Sequence, residues 1–262
     1  MNESIESLFL PEQIKKHLYG MDWEAVEGSY SRAKIYRFFS PGKSYYLKIG
    51  TESERLDREY GNLTWLRNKL PVPEVVMWHS DSGLDYLLIS ELKGKTLFDE
   101  FYVNRPELFV KLLADGINML RTVNIEGCPV NNSLENLLGQ VAENVRLGRV
   151  NMEYWENYNN RFALPEELLD YLIENKPARE EPAFIHGDYC PVNIIGSGES
   201  LAGFIDLAKA GVADIWRDIA VGIRTLWCTL YTTEYDALFL EKIGVPLDKE
   251  KLDYYMLLDK LC

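Results

Sequence analysis

Cysteine is scarce and scattered in this chain: Cys128, Cys190, Cys228 and Cys262 stand far apart, and no C-x-x-C occurs. That spacing signals neither a zinc site nor a redox dithiol. The three histidines are equally dispersed. Basic residues are in deficit, 28 Lys and Arg against 41 Asp and Glu, for a formal net charge of −13. Non-specific nucleic-acid binding needs a basic surface, so nucleic acid is excluded as the expected partner. Excess negative charge instead favours solubility and attraction of cationic ligands. No apolar run is long enough to span a membrane, and the first residues are acidic and polar rather than basic then apolar, so no signal peptide is read. A cytoplasmic protein without a membrane partner is expected. No internal repeat or low-complexity stretch occurs, and 262 residues suit one large domain or two lobes sharing a core.

What is present centres on His186-Gly187-Asp188-Tyr189-Cys190-Pro191-Val192-Asn193 and, thirteen residues after Asn193, Asp206 within Phe204-Ile205-Asp206-Leu207. The apolar run 183–185 reads as a strand. Residues 194–195 and 201–205 read as two more, joined by the turn 196–200. A hairpin turning near Gly198 and Glu199 leaves Asn193 and Asp206 nearly equidistant from the turn, with Asp188 in the loop just before. An amide and a carboxylate suit Mg²⁺, which prefers oxygen ligands, and Asp188 is left to handle a proton. Taken singly, each of these residues is ordinary turn chemistry; the constellation carries the argument.

The N-terminal third reads as strands around one polar-faced helix. Strands are expected at 23–27, 33–39, 44–49, 74–78 and 84–89, after a short helix at 11–19. In the strand 44–49, Tyr46 and Lys48 share one face and Tyr45, Leu47 and Ile49 the other. Leu56, Tyr60, Leu63 and Leu66 recur at helical spacing through 54–69, and Glu59 lies on the same face. An unpaired buried carboxylate is costly, so a buried cation is expected, with Lys48 the candidate. The alternatives are an edge Glu paired with a surface lysine and a snorkelling edge Lys48. Beyond residue 93 the pattern turns helical at 107–120, 133–146 (Ser133 as N-cap), 165–174, 213–230, 232–243 and 248–261.

The pattern H-G-D-x-x-x-x-N followed by I-D-L resembles the catalytic and metal-binding segments of the aminoglycoside phosphotransferase family, a branch of the protein-kinase-like fold. The resemblance continues through 208–214, Asp218-Ile219-Ala220 and Tyr254-Tyr255-Met256-Leu257-Leu258-Asp259. It covers nearly the whole chain and is strongest to aminoglycoside 3′-phosphotransferases. It implies an α+β, two-lobed fold. Residues 1–92 would form a nucleotide-binding lobe with an antiparallel sheet and one helix, and 93–262 a larger, mainly helical lobe for catalysis and substrate.

The resemblance also implies roles. Lys48, held by Glu59, would bind the α- and β-phosphates of ATP. Tyr46 would stack on the base, and the Ser90 carbonyl and Leu92 N–H would pair with adenine. Residues 28–32 stand where kinases carry G-x-G-x-x-G, which is absent; backbone N–H groups and the hydroxyls of Ser29 and Ser31 would serve the phosphates there. Asn193 and Asp206 would hold Mg²⁺, and Asp188 would act on the acceptor hydroxyl. Asp218 would support the loop, and His186 reads as a core histidine bonded to backbone. Glu153, Glu156, Arg224, Asp259 and the Cys262 carboxylate would line the acceptor pocket. Pro191, Cys228 and Lys260 replace positions often acidic in relatives, and Lys209 replaces an arginine. The implied activity is ATP- and Mg²⁺-dependent phosphorylation of an aminoglycoside, at the 3′-hydroxyl first, conferring antibiotic resistance. A kinase for another hydroxyl metabolite and a nucleotide-binding pseudokinase are the alternatives. Retention of Lys48, Asp188, Asn193 and Asp206 counts against the pseudokinase.

Overall fold

The computed structural model describes residues 10–26, 33–152, 155 and 161–262. The chain divides into two compact units, one of Met1–Lys93 with Phe204–Lys209 and one of Gly94–Gly203 with Ala210–Cys262.

The first unit opens with α1 (Glu12–Leu18), β1 (Asp22–Ala25), β2 (Lys34–Ser40) and β3 (Lys43–Gly50). It continues with α2 (Leu56–Leu66), β4 (Val75–Asp81) and β5 (Leu84–Ser90). The strands form one antiparallel sheet in the order β1-β2-β3-β5-β4. Its turns follow from local chemistry. Pro41-Gly42 joins β2 to β3 with Gly42 at φ +80°, and Ser82-Gly83 joins β4 to β5 with both residues at positive φ, as a type I′ hairpin turn requires. Alternation in β3 sends Leu47 into a core with Ile14 and Leu18 of α1, Phe38, Tyr86 and Leu88, flanked by Tyr45 and Ile49. Each such large side chain contributes about 1.5–3 kcal/mol on burial. Tyr46 and Lys48 therefore fall on the opposite face, where α2 lies with Leu56, Glu59, Asn62, Leu63 and Leu66 buried. Helix α2 is shorter than its periodicity suggested. Arg55 sits in the left-handed region at φ +53° and separates it from a 3₁₀ turn at Glu52–Glu54.

The second unit contains β6 (Lys95–Thr96), α3 (Glu100–Val103), α4 (Pro106–Arg121), α5 (Leu134–Arg146) and α6 (Pro165–Glu174). Then come β7 (Pro182–Ile185), β8 (Ile194–Ser197), β9 (Ser200–Phe204, its last residue counted with the first unit), β10 (Gly211–Asp214), α7 (Trp216–Leu230), α8 (Asp236–Ile243) and α9 (Lys249–Leu258). Strands β6, β8 and β9 form one small sheet and β7 pairs with β10. Helix α7 is buried almost all round from Trp216 to Leu226, as befits a central helix.

Two expectations are corrected here, on residues 213–214 and on the start of α8. Residues 213–214, read as the start of a helix, belong to β10: Ala213 pairs with Ala183 and Asp214 with Pro182. Helix α7 starts only after Asp214, whose carboxylate accepts the Trp216 N–H at 3.0 Å. Helix α8 begins at Asp236 rather than 232, because Tyr231 ends α7 at φ +55° and the Trp227 indole N–H fastens the Asp236 carboxylate at 2.9 and 2.8 Å. Ser133 stands at the N-cap of α5 without a side-chain cap hydrogen bond; Glu180 Oε2 takes the Leu134 N–H at 2.9 Å instead.

Candidate active site

In the first unit β3 and α2 bring Lys48 and Glu59 together. Lys48 Nζ donates to Glu59 Oε1 at 2.8 Å and Oε2 at 2.9 Å, with side chains 9% and 2% exposed. Lys48 also pairs with Asp206 Oδ1. Burial alone would pull the ammonium's pKa down, but Glu59 and Asp206 outweigh it and hold it above the ordinary lysine value. Asp206 stands at φ +59°, a left-handed conformation that Asp tolerates at a cost of about 1–3 kcal/mol. Two bonds keep that segment in place. Asn62 Nδ2 donates to the Leu207 carbonyl at 2.8 Å, and the Phe204 N–H donates to the Pro71 carbonyl at 3.1 Å. The sequence reading missed Asn62. Its signal was legible: a second polar residue three positions after Glu59, on the same face of α2.

Further along the same sheet face, Tyr46 is half-buried and its hydroxyl donates to Glu91 Oε1 at 3.3 Å. Burial first, then the Glu91 charge, pushes the Tyr46 phenol up. At the end of β5, the Ser90 N–H goes to the Glu74 carbonyl at 2.9 Å and the Glu91 N–H to the Ser44 carbonyl at 3.1 Å. Neither bond uses the Ser90 carbonyl or the Leu92 N–H.

In the second unit β7 delivers the chain to His186, and the loop after it is built on Asp218 of α7. Asp218 is fully buried and accepts the His186 N–H at 2.6 Å and the Gly187 N–H at 2.9 Å. Burial pushes its carboxyl up, opposed by His186 and those two peptide groups. Gly187 takes φ +78°, which turns the chain sharply before Asp188. His186 Nδ1 accepts the Asp188 N–H at 3.3 Å. Tyr189 is buried beneath, its hydroxyl donating to the Leu113 carbonyl at 2.5 Å. The Asp188 carbonyl accepts the Cys190 N–H at 2.8 Å and Asn193 Nδ2 at 3.0 Å, so Asp188 and Asn193 share one tight turn. Cys190 Sγ lies 3.3 Å from Asp188 Oδ1. Asn193 immediately precedes β8, and Asp206 follows β9 after Ile205.

Each unit carries an oxygen donor of the kind a hard cation takes. Asn193 spends its amide nitrogen on the Asp188 carbonyl, which leaves the amide oxygen as its remaining donor atom, and Asp206 offers a carboxylate 44% exposed. Mg²⁺ is commonly held by one or two carboxylates with substrate phosphates rather than by a full protein cage. Among the described residues no cluster of three or more His, Cys, Asp or Glu could make such a cage.

Of the expected acceptor residues, Arg224 on α7 pairs with Asp259, in the 3₁₀ turn Asp259–Leu261 after α9. Cys262 is exposed, its N–H directed at the Asp259 carbonyl at 3.4 Å. Burial, then the Arg224 charge, pulls the Lys260 ammonium down. Ser29, Ser31, Glu153 and Glu156 lie outside the described residues.

A five-stranded antiparallel sheet with a buried Lys–Glu pair, and a helical unit with an Asp-bearing loop anchored on a buried carboxylate, define a phosphotransferase of the protein-kinase-like fold. A profile described as the phosphotransferase enzyme family matches residues 22–255, and the chain belongs to that family. It is 38% identical over 265 residues to an aminoglycoside 3′-phosphotransferase of Niallia circulans, covering 99% of each chain. It is 35% identical to one of Enterococcus faecalis, covering 96% of each. Among solved structures, a type VIII aminoglycoside 3′-phosphotransferase superposes with a TM-score of 0.83 at 28% identity, covering 95% of this chain and 97% of that one. A Streptomyces rimosus aminoglycoside phosphotransferase in complex with ADP and streptomycin superposes with a TM-score of 0.76 at 26% identity, covering 91% and 92%. The chain is a kinase-type enzyme. Among the described residues no helix is long and apolar enough to cross a membrane.

Proposed function

We propose that the protein transfers the γ-phosphoryl group of ATP to the 3′-hydroxyl of an aminoglycoside, in the cytoplasm, and so confers resistance. The observation that carries this reading is near-full-length similarity to 3′-phosphotransferases in a chain that keeps the Lys48–Glu59 pair and the Asp188–Asn193 turn. Lys48 binds the nucleotide phosphates and Glu59 keeps it charged and aimed. Tyr46, the Ser90 carbonyl and the Leu92 N–H take the base, with Ser31 at the phosphates. Asn193 and Asp206 would hold Mg²⁺. When bound, the ion supplies positive charge to the phosphate oxygens. Asp188 orients the acceptor hydroxyl and accepts its proton as the oxygen attacks phosphorus; no covalent phospho-enzyme is required. The acceptor's ammonium groups meet Glu153, Glu156, Asp259 and the Cys262 carboxylate, with Arg224 orienting Asp259.

Pro191, Cys228 and Lys260 remove or reverse negative charge expected at an acceptor site, and each such change costs a cationic ligand about 1 kcal/mol or more where contacts are desolvated. A narrowed aminoglycoside range follows. The test is a coupled ATP-consumption assay with kanamycin, neomycin, a 3′-deoxy aminoglycoside and simple hydroxyl metabolites. Turnover of kanamycin without turnover of the 3′-deoxy compound is expected. Turnover of a metabolite alone would reassign the acceptor. Loss of Mg²⁺-dependent ATP binding in Asp206→Ala, read by calorimetry, tests the metal assignment.

A further inference from the structure

One row of side chains crosses the Tyr46 face of the sheet. Strand pairing sets Glu24 of β1 opposite Arg37 of β2, Arg37 opposite Tyr46 of β3, and Tyr46 opposite Ile89 of β5. Arg37 bridges the row to Glu91, just after β5. Its Nε donates to Glu91 Oε1 at 3.0 Å and its Nη2 to Glu91 Oε2 at 3.3 Å, while Nη1 reaches Glu24 Oε1 at 3.2 Å. The same Glu91 Oε1 accepts the Tyr46 hydroxyl. Arg37 and Glu91 side chains are 33% and 25% exposed, so the pair is partly shielded from water. A planar guanidinium gripping both oxygens of a carboxylate fixes orientation as well as position. One carboxylate thus ties the ring of Tyr46 to Glu91, the residue between the Ser90 carbonyl and the Leu92 N–H assigned to the base.

Resting on the nucleotide reading above, we propose that Arg37 and Glu91 are positioning residues for the nucleotide base. They hold the Tyr46 ring and the Ser90–Leu92 peptide in one arrangement. Burial pushes the Glu91 carboxyl up, but its hydrogen bonds, those from Arg37 first, outweigh this and hold it below the usual carboxylate range, so Glu91 stays charged at neutral pH.

The proposal ranks the variants. Arg37→Met leaves Glu24 and Glu91 uncompensated beside the base, so it harms binding more than Glu91→Gln, and Arg37→Lys is intermediate because charge is kept and the fork lost. Calorimetry with adenosine and with inorganic tripolyphosphate separates base from phosphate contacts. Adenosine is expected to weaken about threefold in Glu91→Gln and about tenfold in Arg37→Met, one step of about 1.4 kcal/mol. Tripolyphosphate affinity and kcat should stay within about twofold in both. KM for ATP should rise while KM for the acceptor holds. Tyr46→Ala is the control for the underlying reading. Weakened adenosine in Tyr46→Ala but not in the Arg37 and Glu91 variants would overturn the positioning role alone. Unchanged adenosine in Tyr46→Ala would overturn the base reading and this proposal with it. Parallel loss of adenosine and tripolyphosphate would mean general damage to the unit, also overturning it. Tighter tripolyphosphate binding in Glu91→Gln would show that Arg37 binds phosphate itself.

Discussion

Two acidic residues, Glu59 and Asp218, are both buried, and they are satisfied in opposite ways. Glu59 is matched by a formal charge, the Lys48 ammonium, which also pairs with Asp206. Asp218 is matched by the peptide N–H groups of His186 and Gly187. The difference follows from what each carboxylate holds. A flexible lysine has to be kept charged and pointed in a dry setting, which only an opposite charge does well. A loop has to be kept in shape, and peptide donors are its own rigid atoms, so bonding them fixes backbone directly. Charge serves where a side chain must act, and backbone bonding serves where a turn must stay.

Four single substitutions and one double replacement probe that comparison. Asp188→Asn keeps the loop and removes the proposed proton acceptor, so kcat should fall by about 10²–10⁴-fold with ATP affinity unchanged. Steady-state kinetics beside ATP titration reads this, and near-normal turnover would remove Asp188 from the mechanism. Glu59→Ala leaves the buried Lys48 ammonium with Asp206 as its remaining carboxylate and should cost up to about 3–5 kcal/mol by urea unfolding. Replacing Lys48 and Glu59 together by Met should recover most of that stability without recovering activity; failure to recover it would show that packing, not charge, dominates there. Asp218→Asn turns one acceptor into a donor facing a peptide N–H. About 1–3 kcal/mol should be lost, and kcat should drop because Asp188 is displaced. A stable, fully active Asp218→Asn would mean the loop holds itself. Ser133→Ala should change stability by less than about 0.5 kcal/mol, because its side chain makes no cap bond. A larger loss would restore the capping role.

Periodicity and turn chemistry made much of the first unit legible. Alternation along β3 placed Leu47 and Lys48 on opposite faces, and helical spacing put Glu59 on the buried face of α2 before any partner was visible. Residues 213–214 were misread because Ala-Asp before an apolar run looks like a helix start, and only pairing with β7 makes them strand. Asn62, Arg37 and Glu91 were passed over for a related reason. A polar residue acquires its meaning from what stands opposite, and those partners are the Leu207 carbonyl, 145 positions away, and, for Arg37, a carboxylate 54 positions away.

The sequence by itself determined the excess of negative charge, the strand and helix rhythm, and the H-G-D-x-x-x-x-N and I-D-L segments that carry the family, since these depend on residue type and near-neighbour spacing alone. Tertiary structure decided which charges are paired. Asp206, read from the sequence as a metal ligand, also lies against Lys48 at φ +59°. Asp218 reaches back 32 positions to His186, and Glu180 does the capping that Ser133 stood ready to do. The physical reason is range: backbone propensity acts over a few residues, whereas the cost of burying a charge is settled by whichever groups the folded chain brings within about 3 Å.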